Sequence, residues 1–306
     1  MEKILITGMA GGLANVVADS LKEEYEIIGV DTRPYRKRWL YQGKFLQVNY
    51  TKREFGDIFR EYRPDKVLHL GRISGAQEKL YQRHNFNVMG TSNILNLCSK
   101  YEVGTVIILS TFHVYGAHQH NPAGITEDQP LRAGQIFPEI IDAVELDYLA
   151  TSYFWKNPSA QTIVLRPCNI VGKNLNNTIS RFLRLRFIPH LMGFDPMMQF
   201  IYESDLVQAI TLILKNPAIS GVYNLAGSGS LPMKEAIKIL GANCVPVSHY
   251  LAYPALKILS VAGIGFPPHL MDYFRYPVIL SDQKFREASG YTPKVGIVDT
   301  LKLVLS

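Results

Sequence analysis

The sequence predicts an α/β fold, a doubly wound parallel sheet with a smaller C-terminal substrate lobe. Three observations predict it. Short β-branched runs alternate with helical patterns through the first half of the chain. The strand runs are almost continuously apolar, as strands buried on both faces are. The first of them leads directly into a glycine-rich turn.

In order, residues 3–7 (KILIT) read as a strand, 11–22 as a helix and 26–30 (EIIGV) as a second strand. Thr51 and Glu54 have the spacing of a capping box that opens a helix reaching about Tyr62. Strands follow at 66–70, 105–110 and 162–167, with helices at 85–100 and 137–156 between them. After Pro167 the pattern loosens, with helices near 176–187, 204–215 and 231–240 and a tail (265–277) rich in proline and aromatics. This divides the chain into a nucleotide-binding domain over 1–170 and a smaller substrate-side lobe over 171–306, with some segments of the latter returning to the main sheet.

Composition excludes several classes. Of 306 residues, 47% are hydrophobic and 19% charged, enough to bury a sizeable core and too apolar for disorder. The net charge of +6 suits anionic small molecules, but its densest cluster, Arg33, Arg36, Lys37 and Arg38, is too short for a nucleic-acid surface. Cys98, Cys168 and Cys244 lie far apart, form no metal-ligand spacing and fit a reducing, cytoplasmic compartment. No signal peptide precedes the first strand. The apolar stretch Leu251–Phe266 carries Lys257, Pro254 and two glycines and is too short to span a bilayer, so it reads as a buried or lid-like helix.

The turn after the first strand reads GMAGGLA, so Gly8, Gly11 and Ala14 form G-x-x-G-x-x-A at a strand-to-helix junction. Glycine there permits a tight turn and lets a pyrophosphate approach the backbone, while the helix beginning near Gly11 and Gly12 offers free N–H groups and its positive end. The second strand ends at Asp31, whose carboxylate suits the hydroxyls of an adenosine ribose and repels a 2′-phosphate. The pattern is Rossmann-type and predicts NAD; Arg33 is the residue that could favour NADP instead.

With these motifs in place, the chain resembles the extended short-chain dehydrogenase/reductases, in particular the NAD-dependent epimerases and dehydratases of sugar nucleotides. ILITGMAGGLA resembles their opening, VLHLG (67–71) their fourth-strand motif, and NFNVMGTSNIL (85–95) their N-x-x-G-T helix, with Asn87 at the motif's Asn. STFHVYG (110–116), LRPCNIVG (165–172), FIYESDLVQAI (200–210) and GVYNLAG (221–227) resemble later landmarks. The resemblance implies a cofactor site drawn from Gly8, Gly11, Gly12, Leu13, Ala14, Asp31, Thr32, Asn49, Tyr50, Leu70, Gly71, Arg72 and Asn87. It also implies a homodimer formed through the 85–100 and 137–156 helices.

The family's catalytic pattern is broken. Its Ser or Thr falls at Thr111, but its Tyr-x-x-x-Lys does not follow. With Asp147 set on the family's helix acid, Glu139 takes the Tyr position and Ala143 the Lys position; a slip of one residue gives Ile140 and Val144. Tyr62–Lys66 and Tyr253–Lys257 have the spacing in the wrong places. His113, two beyond Thr111, and Tyr115, two further, share its side if strand alternation continues. They, Glu139 and Asp142 are the candidate substitute acids and bases. Arg72 replaces a small residue near the nicotinamide or substrate. Met198 stands near the Arg that holds a sugar nucleotide's pyrophosphate, so Arg181, Arg184, Arg186 or Arg275 would have to supply that charge. Two functions follow: an enzyme acting on a sugar nucleotide or related hydroxyl compound, or a catalytically degenerate NAD-binding regulatory or scaffold protein.

Overall fold

The computed structural model describes residues 1–35, 40–73, 79–248, 250 and 268–306. Arg36, Lys37, Arg38, the Leu251–Phe266 stretch and the Tyr253–Lys257 pair lie outside the described residues.

The chain runs through β1 (Lys3–Thr7), α1 (Gly12–Leu21), β2 (Glu26–Asp31), β3 (Lys44–Gln47), α2 (Phe55–Tyr62) and β4 (Lys66–His69). It continues through α3 (Leu80–His84), α4 (Gly90–Lys100), β5 (Thr105–Leu109), α5 (Ala133–Ile136), α6 (Ile141–Lys156) and β6 (Gln161–Pro167). Then come β7 (Asn169–Val171), α7 (Thr178–Leu183), β8 (Phe187–Leu191), β9 (Met197–Met198), β10 (Phe200–Tyr202), α8 (Glu203–Lys215) and β11 (Gly221–Leu225). The remaining elements include β12 (Leu231–Pro232), α9 (Met233–Ile239), β13 (Asn243–Val247) and two short C-terminal helices.

Seven strands form one sheet in the order β11-β6-β5-β4-β1-β2-β3, every pair parallel. Alternate side chains of β1 show how the sheet is covered on both faces. Ile4 and Ile6 pack with α1 and α8 residues such as Val17, Leu206 and Ile210. Leu5 faces the opposite cluster, with Phe55, Phe59, Ile94 and Leu146 of α2, α4 and α6. Strand order reverses between β1 and β4, and a crevice opens at the carboxyl ends of the strands at such a point. A third cluster, around Phe182, Phe200 and Ile237, supports the part of the chain that borders this crevice.

Three local expectations need correction. The Thr51–Glu54 capping box does not form: the Thr51 hydroxyl and amide both donate to Asn49 Oδ1 (2.9 Å each), and α2 starts only at Phe55. The 85–100 helix is three pieces, α3, a π-helical turn over Asn85–Met89, and α4. The 176–187 helix stops at Leu183; the next segment, with Pro189, pairs as β8 alongside β13.

Candidate functional site

A cavity of about 890 Å³ lies along the carboxyl ends of the strands, from Arg33 after β2, past the β1 turn, to Arg72 after β4 and Thr111 after β5. Its floor is the turn between β1 and α1. Gly8 has φ +77°, and a Cβ there would stand 2.6 Å from the Gly71 Cα, so the turns after β1 and β4 touch backbone to backbone. A Cβ on Gly12 would stand 2.2 Å from the Asn174 carbonyl oxygen, so this glycine admits the loop after β7. That loop is held by buried Glu203, whose carboxylate accepts from the Asn174 amide (3.3 Å) and side chain (2.7 Å). No side chain caps α1, and Gly11, Gly12 and Leu13 line the cavity. The open helix N-terminus is an anion cradle of the kind a dinucleotide pyrophosphate requires.

Asp31, at the end of β2, is buried. Its Oδ2 accepts from the Ala10 amide (2.8 Å) and its Oδ1 from the Arg33 amide (2.9 Å), and the Arg33 guanidinium folds over both oxygens (3.2 Å). The Arg33 side chain is 64% exposed, so it can move aside for a ligand hydroxyl.

Several expected cofactor residues support the cavity without lining it. His69 is fully enclosed. Thr91 Oγ1 donates to the Asn87 carbonyl and so accepts from His69 Nε2–H (2.8 Å). His69 Nδ1 then accepts from Thr7 Oγ1 (2.7 Å), which accepts from the Gly71 amide (3.2 Å). This chain needs a neutral imidazole, and burial pushes the His69 pKa down to about 4. The unfolded chain therefore takes up a proton below about pH 6.5 that the native state refuses. The stabilisation is complete above that pH and lost as pH falls towards 4, on the order of 3 kcal/mol. We expect the urea midpoint to fall over that window in the native protein and to change less in His69→Gln. An NMR titration placing the imidazole near pH 6.5 would contradict the assignment.

Tyr50 donates to the Gly71 carbonyl (3.2 Å) and packs edge-on against His69. Asn49 Oδ1 is taken by Thr51. Thr32 lies beside Asp31, and Ala14 is core. The buried Asn87 carboxamide clamps both backbone groups of Ile73 (2.9 and 2.8 Å) and donates to Asp142. Asn87 thus fixes the segment that carries Arg72 and does not face the cavity. Leu70 and Arg72 do.

At the β5 end, Thr111 and His113 line the cavity, with Thr111 Oγ1 2.8 Å from His113 Nδ1. The other three substitutes lie off the cavity wall. The strand ends at Leu109, and Phe112–Tyr115 is a 3-10 turn, so strand alternation does not extend to Tyr115. Its hydroxyl is buried, donates to Asn224 Oδ1 (2.7 Å) and accepts from Arg166 Nη1 (3.0 Å), and burial pushes its pKa up to about 12. Glu139 sits in another 3-10 turn before α6, exposed and off the cavity wall. Ile140 and Ala143 are the residues that face inward there. Asp142 is not a free acid: it is buried against Arg83 Nη2 (2.7 Å). Asp147 grips Arg166 of β6 through two bonds (2.9 and 2.6 Å), which locks α6 against the sheet.

The candidate arginines of the C-terminal half are also redistributed. Arg184 is spent on the carbonyls of Gly172, Lys173, Leu175 and Val304. Arg181 and Arg186 are exposed and off the cavity, and Arg275 pairs with Asp272 between the rings of Phe194 and Tyr276. Met198 lines the cavity as an apolar residue. Two contributors escape sequence reasoning: Arg83, and Tyr273, whose hydroxyl donates to the His113 carbonyl (2.7 Å) from 160 residues away. Among the described residues the cavity wall carries Arg33, Arg72 and Arg83 and no carboxylate.

Comparison with known proteins places this geometry. A protein of Mycobacterium tuberculosis strain H37Rv, described as uncharacterised, is 25% identical over 95% of this chain and 80% of its own length. The UDP-glucose 4-epimerase of Thermotoga maritima, solved with UDP-glucose, shares the fold at a TM-score of 0.80 and 22% identity, over 99% of this chain and 97% of that one. The Thermus thermophilus UDP-glucose 4-epimerase in complex with NAD does so at 0.78 and 20% identity, over 99% and 97%. The model of one family, the NAD dependent epimerase/dehydratase family, matches residues 4–226, a span that holds the glycine turn, Asp31, Thr111 and both strands flanking the crevice. By that match the chain belongs to the NAD-dependent epimerase/dehydratase family, and its cofactor is NAD.

Proposed function

We propose that NAD lies along the cavity with its adenosine towards Asp31 and its nicotinamide towards Thr111, and that the protein oxidises a hydroxyl of a sugar nucleotide or related compound at that end. The observation that carries this reading is the wall itself: an uncapped helix N-terminus and three arginines, with no carboxylate among the described lining residues. Bound NAD supplies the hydride acceptor. The protein's own task is the proton: Thr111 Oγ1 receives the substrate hydroxyl and passes a proton to the adjacent His113 Nδ1. Gly11, Gly12 and Leu13 hold the pyrophosphate, and Asp31, which lies beneath Arg33 and off the cavity wall, takes the ribose once Arg33 moves aside.

The cofactor half is tested by titration. Asp31 already neutralises Arg33, so a 2′-phosphate meets a buried carboxylate, and we expect NAD to bind about tenfold or more tighter than NADP. Equal or tighter NADP binding would assign the site to Arg33 instead.

A homodimer fits the same reading. Tyr81, Met89, Tyr148 and Trp155 expose large apolar surfaces on α3, the π turn and α6, and Tyr148 and Trp155 lie seven residues apart on one face of α6. Sedimentation should give a dimer that Tyr148→Glu with Trp155→Glu converts to monomer; a monomeric native protein would remove this proposal. No described helix is long and apolar enough to cross a membrane. The three free cysteines, two of them buried, support a cytoplasmic location.

A further inference from the structure

Three arginines reach the cavity, and two of them have partners. Arg33 pairs with Asp31 (3.2 Å) and Arg83 with Asp142 (2.7 Å). Arg72 is half-buried and, among the described residues, has neither a hydrogen bond nor an ion pair. It is not a loose surface side chain: the next residue, Ile73, is held by its amide and its carbonyl in the Asn87 carboxamide clamp, itself tied to Asp142. Burial disfavours the charged guanidinium; Asp142 opposes that, and Arg83 adds to it less than Asp142 offsets. Guanidinium does not shed its proton in proteins, so a half-buried one on a cavity wall with no hydrogen bond of its own is stabilised by an anion brought from outside.

The cofactor's pyrophosphate has its own cradle at the N-terminus of α1, on the β1 side of the strand-order reversal. Arg72 stands on the other side, after β4, between that cradle and Thr111 after β5. Ala143 and Ile140 of the facing wall bring no charge there.

We propose that Arg72, with Arg83 behind it, forms a subsite for an oxyanion of the substrate, a carboxylate or phosphate carried close to the hydroxyl that Thr111 receives. The subsite rests on the nucleotide reading above and narrows its substrate class to acidic hydroxy compounds, acidic sugars among them. It binds through charge-assisted, fork-shaped hydrogen bonds, which a neutral hydroxymethyl group cannot match.

The test uses the full chain and begins with an NAD titration. The NAD-loaded protein is then titrated with UDP-glucuronic acid against UDP-glucose, and with D-glucuronate and glucose 6-phosphate against D-glucose. The small pair separates a carboxylate from a phosphate source. The expected result is binding of an anionic member about tenfold or more tighter than its neutral counterpart. Arg72→Gln should erase that preference while still binding NAD, and Arg72→Lys should restore part of it. NAD binding with no preference, with no affinity for any anionic probe, or with a preference that survives Arg72→Gln would overturn the subsite alone. Absence of NAD binding would overturn the nucleotide reading and the subsite together.

Discussion

Gly8→Ala is expected to lower NAD affinity about a hundredfold or more, and Gly229→Ala to leave it unchanged. The two glycines share a positive φ, +77° and +76°, which an L side chain adopts only under strain, so alanine is strained at both. Their surroundings differ. Nothing lies within 4 Å of a Cβ on Gly229, whereas on Gly8 it would meet the Gly71 Cα at 2.6 Å and the Gly71 nitrogen at 2.7 Å. Those atoms are backbone, anchored through Thr7 and Tyr50, and cannot swing aside as a side-chain tip can. The turn after β1 must therefore part from the turn after β4, and the cavity floor opens where the pyrophosphate is gripped. Thermal melts should fall for both variants, since both carry the conformational penalty. NAD titration separates them, and equal loss of affinity would show that the backbone contact has no part in binding.

The legible part of the fold is the part set by local rules. Strand–helix alternation, the glycine turn and the burial of both sheet faces are written in residues 3–31 and repeat to Pro167. What the sequence hides is decided by partners far along the chain. Tyr115 looks like a cavity residue while β5 is imagined to continue, but a 3-10 turn delivers its hydroxyl to Asn224 and Arg166. Glu139 falls on the family's Tyr position only by counting from Asp147, and the helix it should lie on starts two residues later, after Pro138 has bent the chain into a tighter turn. Asn87 has the right motif and a supporting task, because the groups within its reach are those of Ile73. Thr111 and His113 are near neighbours in sequence as well as in space, so their shared place on the cavity wall needs no distant partner to bring it about.

That pair carries the largest kinetic expectation. The cavity-lining residues of this segment are Ile140 and Ala143, neither of which moves a proton. Tyr273 lines the cavity, but its hydroxyl is committed to the His113 carbonyl, and burial holds its pKa well above the usual phenol value. On the reading proposed above, His113, 2.8 Å from the Thr111 hydroxyl, takes the proton on this wall. With NAD and a panel of sugar nucleotides and acidic hydroxy compounds, the native protein should turn over slowly, since among the described residues no lysine lines the cavity to tune a phenol. His113→Ala should lower kcat about a hundred- to ten-thousand-fold, the range a positioned acid/base supplies. Thr111→Ala should fall similarly, Thr111→Ser should stay close to native, and Tyr273→Phe should keep its activity. A native protein that binds NAD and turns over nothing on the panel would identify a degenerate binder that has kept the nucleotide site. Turnover indifferent to His113→Ala would place the proton on another group.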